Sequence, residues 1–199
     1  MRIISTILIS IATFFTLSSV IPTSEECQIY NSCVRLHVIA NSDTEKDQEL
    51  KLKVRDKLLE YVGKYEVESK EEALLKMQEE RSTLEEIARE TIKENGYDYD
   101  VKIEIGLEDY PTKNYDNFSL PAGEYTSVRV IIGGGDGQNW WCVLYPPLCT
   151  QAALSYDKDA CIEVGLSSNQ YDLITGANGK YKVKFKILEM ASELVGFEY

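Results

Sequence analysis

Val34-Arg35-Leu36-His37-Val38-Ile39-Ala40-Asn41-Ser42-Asp43-Thr44-Glu45 decides the fold. Its opening sets Val34, Leu36, Val38 and Ala40 against Arg35, His37 and Ile39, an alternation that predicts a strand with one clearly buried face. The period then changes. Ser42 and Glu45 stand in capping-box register and Asp43 suits the positive end of a helix dipole, so a helix is expected to begin here. Leu50, Val54, Leu58, Tyr61 and Val62 share one stripe of that helix, and Gly63 stops it. Its other face, with Lys51, Lys53, Arg55 and Asp56, reads as solvated.

Outward from this stretch the pattern repeats in kind. A second helix is expected from Ser69 to Met77, with Ala73, Leu74 and Met77 as its apolar side. A third opens at the box Ser82-Thr83-Leu84-Glu85, carries Leu84, Ile87, Ala88, Thr91 and Ile92 at helical spacing, and ends at Asn95-Gly96. Tyr99 to Ile105 alternates as a half-exposed strand, and Glu124 to Ile132 alternates again. Between them, Tyr110-Pro111-Thr112-Lys113 and Leu120-Pro121-Ala122-Gly123 set Pro and Gly where turns need them. The glycine run Gly133-Gly134-Gly135-Asp136-Gly137 leads into Asn139-Trp140-Trp141-Cys142-Val143-Leu144-Tyr145, which holds both tryptophans. We read the run as a wide hairpin joining the last two strands, with Asp136-Gly137 supplying the positive backbone angles. Residues 150–180 show no sustained period and read as a loose segment. Val183, Ile187, Met190 or Ala191, and Leu194 fit a final helix closed by Gly196. The expectation is one α+β domain over residues 23–199, a largely antiparallel sheet with helices packed on one face.

The chain of 199 residues carries a net charge of −12. An acidic body repels phosphates and anionic lipid heads, which argues against nucleic-acid binding and against charge-driven membrane association. Residues 1–22 carry one Arg and an apolar run from Ile3 to Leu17, the layout of a signal peptide or an amino-terminal membrane anchor. Either places the body outside the cytoplasm, where the five cysteines can form disulfides. Cys142 and Cys149 bracket a short loop containing Pro146-Pro147, and an unstrained bridge there is worth about 2.5 kcal/mol in the chain-entropy model. Cys27 and Cys33 can pair likewise, leaving Cys161 odd; the alternative is that the cysteines are buried thiols.

Catalytic chemistry is mostly refused. The glycine run lacks the third glycine of a dinucleotide fingerprint and opens a strand, whereas phosphate loops open helices. His37 is the only histidine, so a Cys142–His37 nucleophile pair is the one imidazole-assisted option. Zinc spacing is missing. Paired carboxylates are too plentiful among 33 acidic residues for any pair to stand out. The reading is of a binding protein with no catalytic residue, no metal, no cofactor and no small-molecule substrate. The rival is an exported cell-wall or peptide hydrolase using Cys142 or an acidic pair.

Arg35-Leu36-His37-Val38-Ile39-Ala40-Asn41-Ser42-Asp43 with Asp47-Gln48 and Lys51, Tyr110-Pro111-Thr112-Lys113, Leu120-Pro121-Ala122-Gly123-Glu124-Tyr125, and Asn139-Trp140-Trp141-Cys142 through Cys149 resemble the stage II sporulation protein R family of endospore-forming bacteria. The resemblance covers about residues 34–149. It implies export from the forespore into the space between the two sporulation membranes. It further implies activation of a membrane-embedded aspartic protease in the mother cell, which matures the early mother-cell sigma factor. The segment after Cys149 lacks the long charged tract of some members, and Cys27, Cys33 and Cys161 stand outside the shared pattern. On this reading the turn Asn41, Ser42 and Asp43 and the stretch with Gly135, Asp136, Gly137, Asn139, Trp140 and Trp141 lie together as the contact patch. One tryptophan would anchor the partner, and the other would face the core.

Overall fold

The computed structural model describes residues 29–115, 118–148 and 167–175, together with residues 3, 4, 6, 7, 9, 10, 13 and 162. Within them the order is β1 (Val34–Ile39), α1 (Glu45–Val62), α2 (Lys70–Glu79), α3 (Arg81–Glu94), β2 (Val101–Tyr110), β3 (Lys113–Asn114), β4 (Ser119–Leu120), β5 (Gly123–Ile132), β6 (Asn139–Tyr145) and α4 (Ser168–Ile174). Four strands form one sheet in the order β2-β5-β1-β6, and β3 and β4 pair as a separate ribbon. β2 runs antiparallel to β5 and β6 antiparallel to β1, whereas β1 lies parallel to β5. A parallel pair needs a long crossover, and the three helices and β2 between β1 and β5 provide it. The α+β class holds, with a mixed sheet that is antiparallel in two of its three ladders.

The glycine run is not a hairpin. β5 and β6 never pair; β1 sits between them, hydrogen-bonded to both. The run must therefore carry the chain across the carboxyl end of β1. Its positive φ angles fall on Gly133 (57°) and Gly135 (67°), not on Asp136-Gly137.

The helices lie where the 3.6-residue period put them, with different starts. Thr44, not Ser42, caps α1, accepting from the Asp47 N–H at 3.3 Å. Ser42 instead donates to the Asp47 carboxylate at 2.5 Å. Ser69 caps α2, accepting from the Glu72 N–H. α3 starts at Arg81 without a side-chain cap. Glu85, expected in a box with Ser82, accepts from the Ile103 N–H at 3.1 Å and ties α3 to β2. Lys51 was expected in solvent on α1 but is 4% exposed.

One face of the sheet carries Val34, Leu36, Val38, Val101, Ile103, Val128, Val130, Ile132 and Cys142. These pack against Leu50, Val54 and Leu58 of α1, Ala73 and Met77 of α2, and Leu84, Ala88 and Ile92 of α3. Each such aliphatic chain removed from water contributes roughly 1.5–3 kcal/mol. The other face is not solvent either. Tyr110, Tyr125 and Val143 join Ile29, Cys33, Phe118, Leu120, Leu148 and Ile174 in a second cluster, so β1 is buried on both sides. α4 lies within the stretch read as loose. The helix expected around residues 183–194 falls outside the described residues, as does most of the amino-terminal segment. Among the described residues no helix is long and apolar enough to cross a membrane.

Candidate functional site

The loop over the end of β1 is fastened to the strand-to-helix turn by its own amides. Gly134 N–H donates to Asn41 Oδ1 at 3.0 Å and Gln138 N–H to Asp43 Oδ1 at 2.7 Å. Asp136 N–H and Gly137 N–H donate to the carbonyls of Asn41 (3.3 Å) and Ala40 (3.0 Å). From below, Lys51 Nζ donates to the Gln138 carbonyl at 2.9 Å and to Gln48 Oε1 at 2.6 Å. Burial pulls the Lys51 ammonium below its usual value against the attraction of Asp43.

Asp47 is the keystone of the turn. It accepts from Ser42 Oγ and from Asn41 Nδ2 at 2.9 Å. Burial pushes its carboxyl up, but hydrogen bonds from Ser42, Asn41, Tyr99 and Thr44 outweigh that and leave it below the usual carboxylate range. The glycines are needed for closeness: a Cβ on Gly137 would overlap the Ser42 carbonyl oxygen and stand 2.6 Å from its carbon. Asn41, Ser42, Asp43, Gly135, Asp136 and Gly137 are thus brought together, with Asp43 and Asp136 exposed.

The strand that follows divides its residues between two faces. Trp140 lies on the helix side, partly buried, with the Arg55 guanidinium 4.5 Å from its ring centroid. Trp141 lies on the other side, stacked on His37 at 5.5 Å and capped by Lys113 Nζ at 3.7 Å. Asn139 is exposed, and its side chain bonds His37, away from the turn. Both tryptophans are half-buried, so neither is a pure core residue.

That second face holds a polar cluster the sequence pattern concealed. Arg35, read as an outward strand residue, is 0% exposed. Its guanidinium sits 4.3 Å from the Tyr110 centroid and 4.9 Å from that of Tyr125. Nε donates to the Cys142 carbonyl at 2.9 Å and Nη2 to Tyr115 Oη at 3.0 Å, while Nη1 is buried without a partner among the described residues. No carboxylate pairs with Arg35 among the described residues, so two aromatic faces take the place of a counter-ion. His37 Nδ1 lies 2.8 Å from Glu108 Oε1, and Nε2 lies 2.7 Å from Asn139 Oδ1. Burial pushes the Glu108 carboxyl up, yet hydrogen bonds from His37 and Ser127 and the charges of His37 and Arg129 bring it below the usual range. Glu108 is therefore ionised near neutral pH, and Nδ1 must be the donor to it. The density of tyrosine in this half, Tyr110, Tyr115 and Tyr125, was the one sequence signal available for the cluster.

The Cys142–His37 pair does not form. Leu36, not His37, stands opposite Cys142, and Cys142 joins the helix-side core while His37 faces away. Cys142 is buried and disulfide-bonded; Cys149, its expected partner, lies outside the described residues, as do Cys27 and Cys161. Cys33 is a free, buried thiol, so it forms no bridge with Cys27, and burial pushes its pKa up to about 11. No group of three or more His, Cys, Asp or Glu side chains among the described residues could hold a metal ion.

A family model described as stage II sporulation protein R matches residues 30–155. The chain belongs to the stage II sporulation protein R family. The match runs from just before β1 to beyond β6, so it takes in the whole four-stranded sheet and both faces described above. The chain is also 37% identical over 123 residues to the stage II sporulation protein R of Bacillus subtilis (strain 168), covering 61% of this chain. It spans about 55% of that relative's length. No solved structure matches the chain. Membership in this family gives the protein a sporulation-related role.

Proposed function

We propose that this member of the stage II sporulation protein R family is an exported signal that acts by contact. It works in the space between forespore and mother-cell membranes, carried there by residues 1–22 as a signal peptide or an amino-terminal anchor. Residues 23–199 are the single exported domain. It touches the outer surface of a membrane-embedded aspartic protease in the mother cell and switches it on, leading to maturation of the early mother-cell sigma factor. The contact patch is the clasped turn and loop, Asn41, Ser42, Asp43, Gly135, Asp136 and Gly137, with Trp140 beside it. Asn139 and Trp141 brace it from the other face.

The observation that carries this reading is the clasp itself. Four loop amides bonded to the turn and to the end of β1 hold a part-exposed polar patch in one shape, and a preorganised patch loses little entropy on binding. Chemistry finds little foothold. We infer that Cys142 pairs with Cys149, which removes that nucleophile. Both ring nitrogens of His37 are occupied. Glu104 and Glu108 are held below the usual carboxylate range, the wrong direction for a general acid at neutral pH.

The test is co-expression of the exported chain with the protease and its precursor substrate in a host free of other sporulation proteins. Precursor cleavage is expected with the parent chain. Trp140→Ala and Asp136→Lys should each lower cleavage by about tenfold or more, as loss of an interface anchor does, while far-UV circular dichroism stays unchanged. Turnover of wall fragments or peptides by the purified chain alone would overturn the proposal.

A further inference from the structure

β2 is an edge strand whose two halves are treated differently. The Gly133 N–H donates to the Asp100 carbonyl at 2.7 Å, which fixes the phase of the ladder with β5. Even-numbered residues of β2 turn their N–H and C=O groups toward β5, and odd-numbered residues turn theirs outward. In the first half this outward row is blunted, because the Ile103 N–H is taken by Glu85 of α3 at 3.1 Å. From residue 105 onward no such cover exists among the described residues. Among the described residues the outward amides of Leu107 and Asp109 meet no acceptor, and the helix-side core takes Val101, Ile103 and Ile105 but stops short of Leu107. Leu107 is 69% exposed. At Gly106 there is nothing within 4 Å of a Cβ position. Natural edges are usually shielded by charge, Pro or a bulge, and this one presents a leucine.

Beside it stands an unpaired acidic couple. Asp109 lies directly opposite Glu124 in the register with β5, both side chains are exposed, and neither has a cation partner among the described residues. Like charges directly opposite each other on neighbouring strands repel. The nearby Glu104 and Glu108, by contrast, are already paired with Arg129.

We propose that residues 105–109 of β2 are a strand-docking edge that accepts an extended, cationic segment of a partner polypeptide as a fifth strand. The incoming backbone pairs with the outward groups of Ile105, Leu107 and Asp109. An apolar side chain covers Leu107, and a Lys or Arg two residues along relieves the Asp109–Glu124 repulsion. This surface lies at the edge of the sheet opposite to β6, so it acts independently of the glycine-loop patch.

The test uses the full chain and a fluorescein-labelled peptide of alternating Lys and Val, with an alternating Glu and Val peptide as its control. Amide hydrogen exchange at Leu107 and Asp109 is expected to slow with the Lys peptide and not with the Glu peptide. Asp109→Lys with Glu124→Lys should weaken peptide binding by about tenfold or more. Leu107→Pro removes one outward N–H at a position where an edge strand tolerates Pro, and it should abolish binding; Leu107→Lys gives the same reading should the proline variant fail to fold. Equal binding of both peptides, unchanged exchange at Leu107 and Asp109, or full binding by the lysine variants would overturn the proposal. So would a dimer of the parent chain, seen by sedimentation, that protects the same two amides and is lost in Leu107→Lys.

Discussion

Replacing Gly137 by Ala tests whether the clasp is what shapes the patch. The added methyl would overlap the Ser42 carbonyl oxygen and lie 2.6 Å from its carbon and 2.9 Å from the Ala40 Cβ. Two of these obstacles are backbone atoms, which cannot rotate away as a side chain can. The chain then has two ways to respond. If the loop stays, the overlap is absorbed as strain, which costs about 1–3 kcal/mol at a well-packed position. If the loop lifts, it loses the Gly137 N–H to Ala40 carbonyl bond, the Asp136 N–H to Asn41 carbonyl bond and the Gln138 N–H to Asp43 bond. Those are worth roughly 1 kcal/mol each, more for the one to a carboxylate. Between them the two routes predict a loss of about 1–4 kcal/mol, or roughly 2–16 °C in melting temperature for a chain of this size. The control is Gly106→Ala, where nothing lies within 4 Å; it should be neutral or stabilising by up to about 1 kcal/mol. Urea unfolding followed by tryptophan fluorescence measures both, since Trp140 follows the loop directly. A Gly137→Ala midpoint within about 0.5 kcal/mol of the parent, the range of an ordinary surface change, would refute the close-packed clasp. The patch would then have to be regarded as pliable.

Acid should destabilise the chain through its depressed carboxylates. Glu108 and Asp47 are held below the usual range in the folded state, so their contribution is complete above the unfolded value of about 4.3 or 3.9 and is lost as pH falls through their folded values. Urea midpoints should therefore fall from about pH 5 downward, and Glu108→Gln should flatten that slope; an unchanged slope contradicts the assignment. Cys33, with its thiol pushed up to about 11, should stay unlabelled by iodoacetamide at pH 8 in the native chain and react fully in denaturant, as peptide mass spectrometry would read. Arg35→Lys should behave as a severe change. A lysine cannot span the Cys142 carbonyl and Tyr115 Oη together or lie flat against two tyrosine rings, so a loss of about 2–4 kcal/mol is expected in thermal melts.

What the sequence disclosed followed the range of the interactions that produce each feature. The stripes Leu50-Val54-Leu58 and Leu84-Ala88-Ile92 bury against a sheet whatever its strand order, so helices α1 and α3 were readable from period alone. Capping was readable only to within a register: Ser42 and Glu45 were expected to open α1, whereas Thr44 caps it, with Asp47 binding both Thr44 and Ser42. Arg35, His37 and Lys51 looked solvent-facing because what buries them is far away in the chain. Glu108 lies 71 positions from His37, and Gln138 lies 87 from Lys51. No local window reports such partners.

The hairpin error bears on the candidate site. Had β5 and β6 been neighbours, the glycine run would have turned back at their own ends and lain beside β1, leaving the Asn41-Ser42-Asp43 turn uncovered. With β1 between them, the only short path from Ile132 to Asn139 crosses the end of β1, over Ala40 and the turn. Glycine is then required for a reason other than hairpin geometry. Backbone must pass against backbone at Gly137 and Ser42, and against the Asn41 side chain at Gly133. The grouping of turn and loop thus follows from the strand order, and a chain that lost the insertion of β1 between β5 and β6 would lose the patch even with every one of its residues intact.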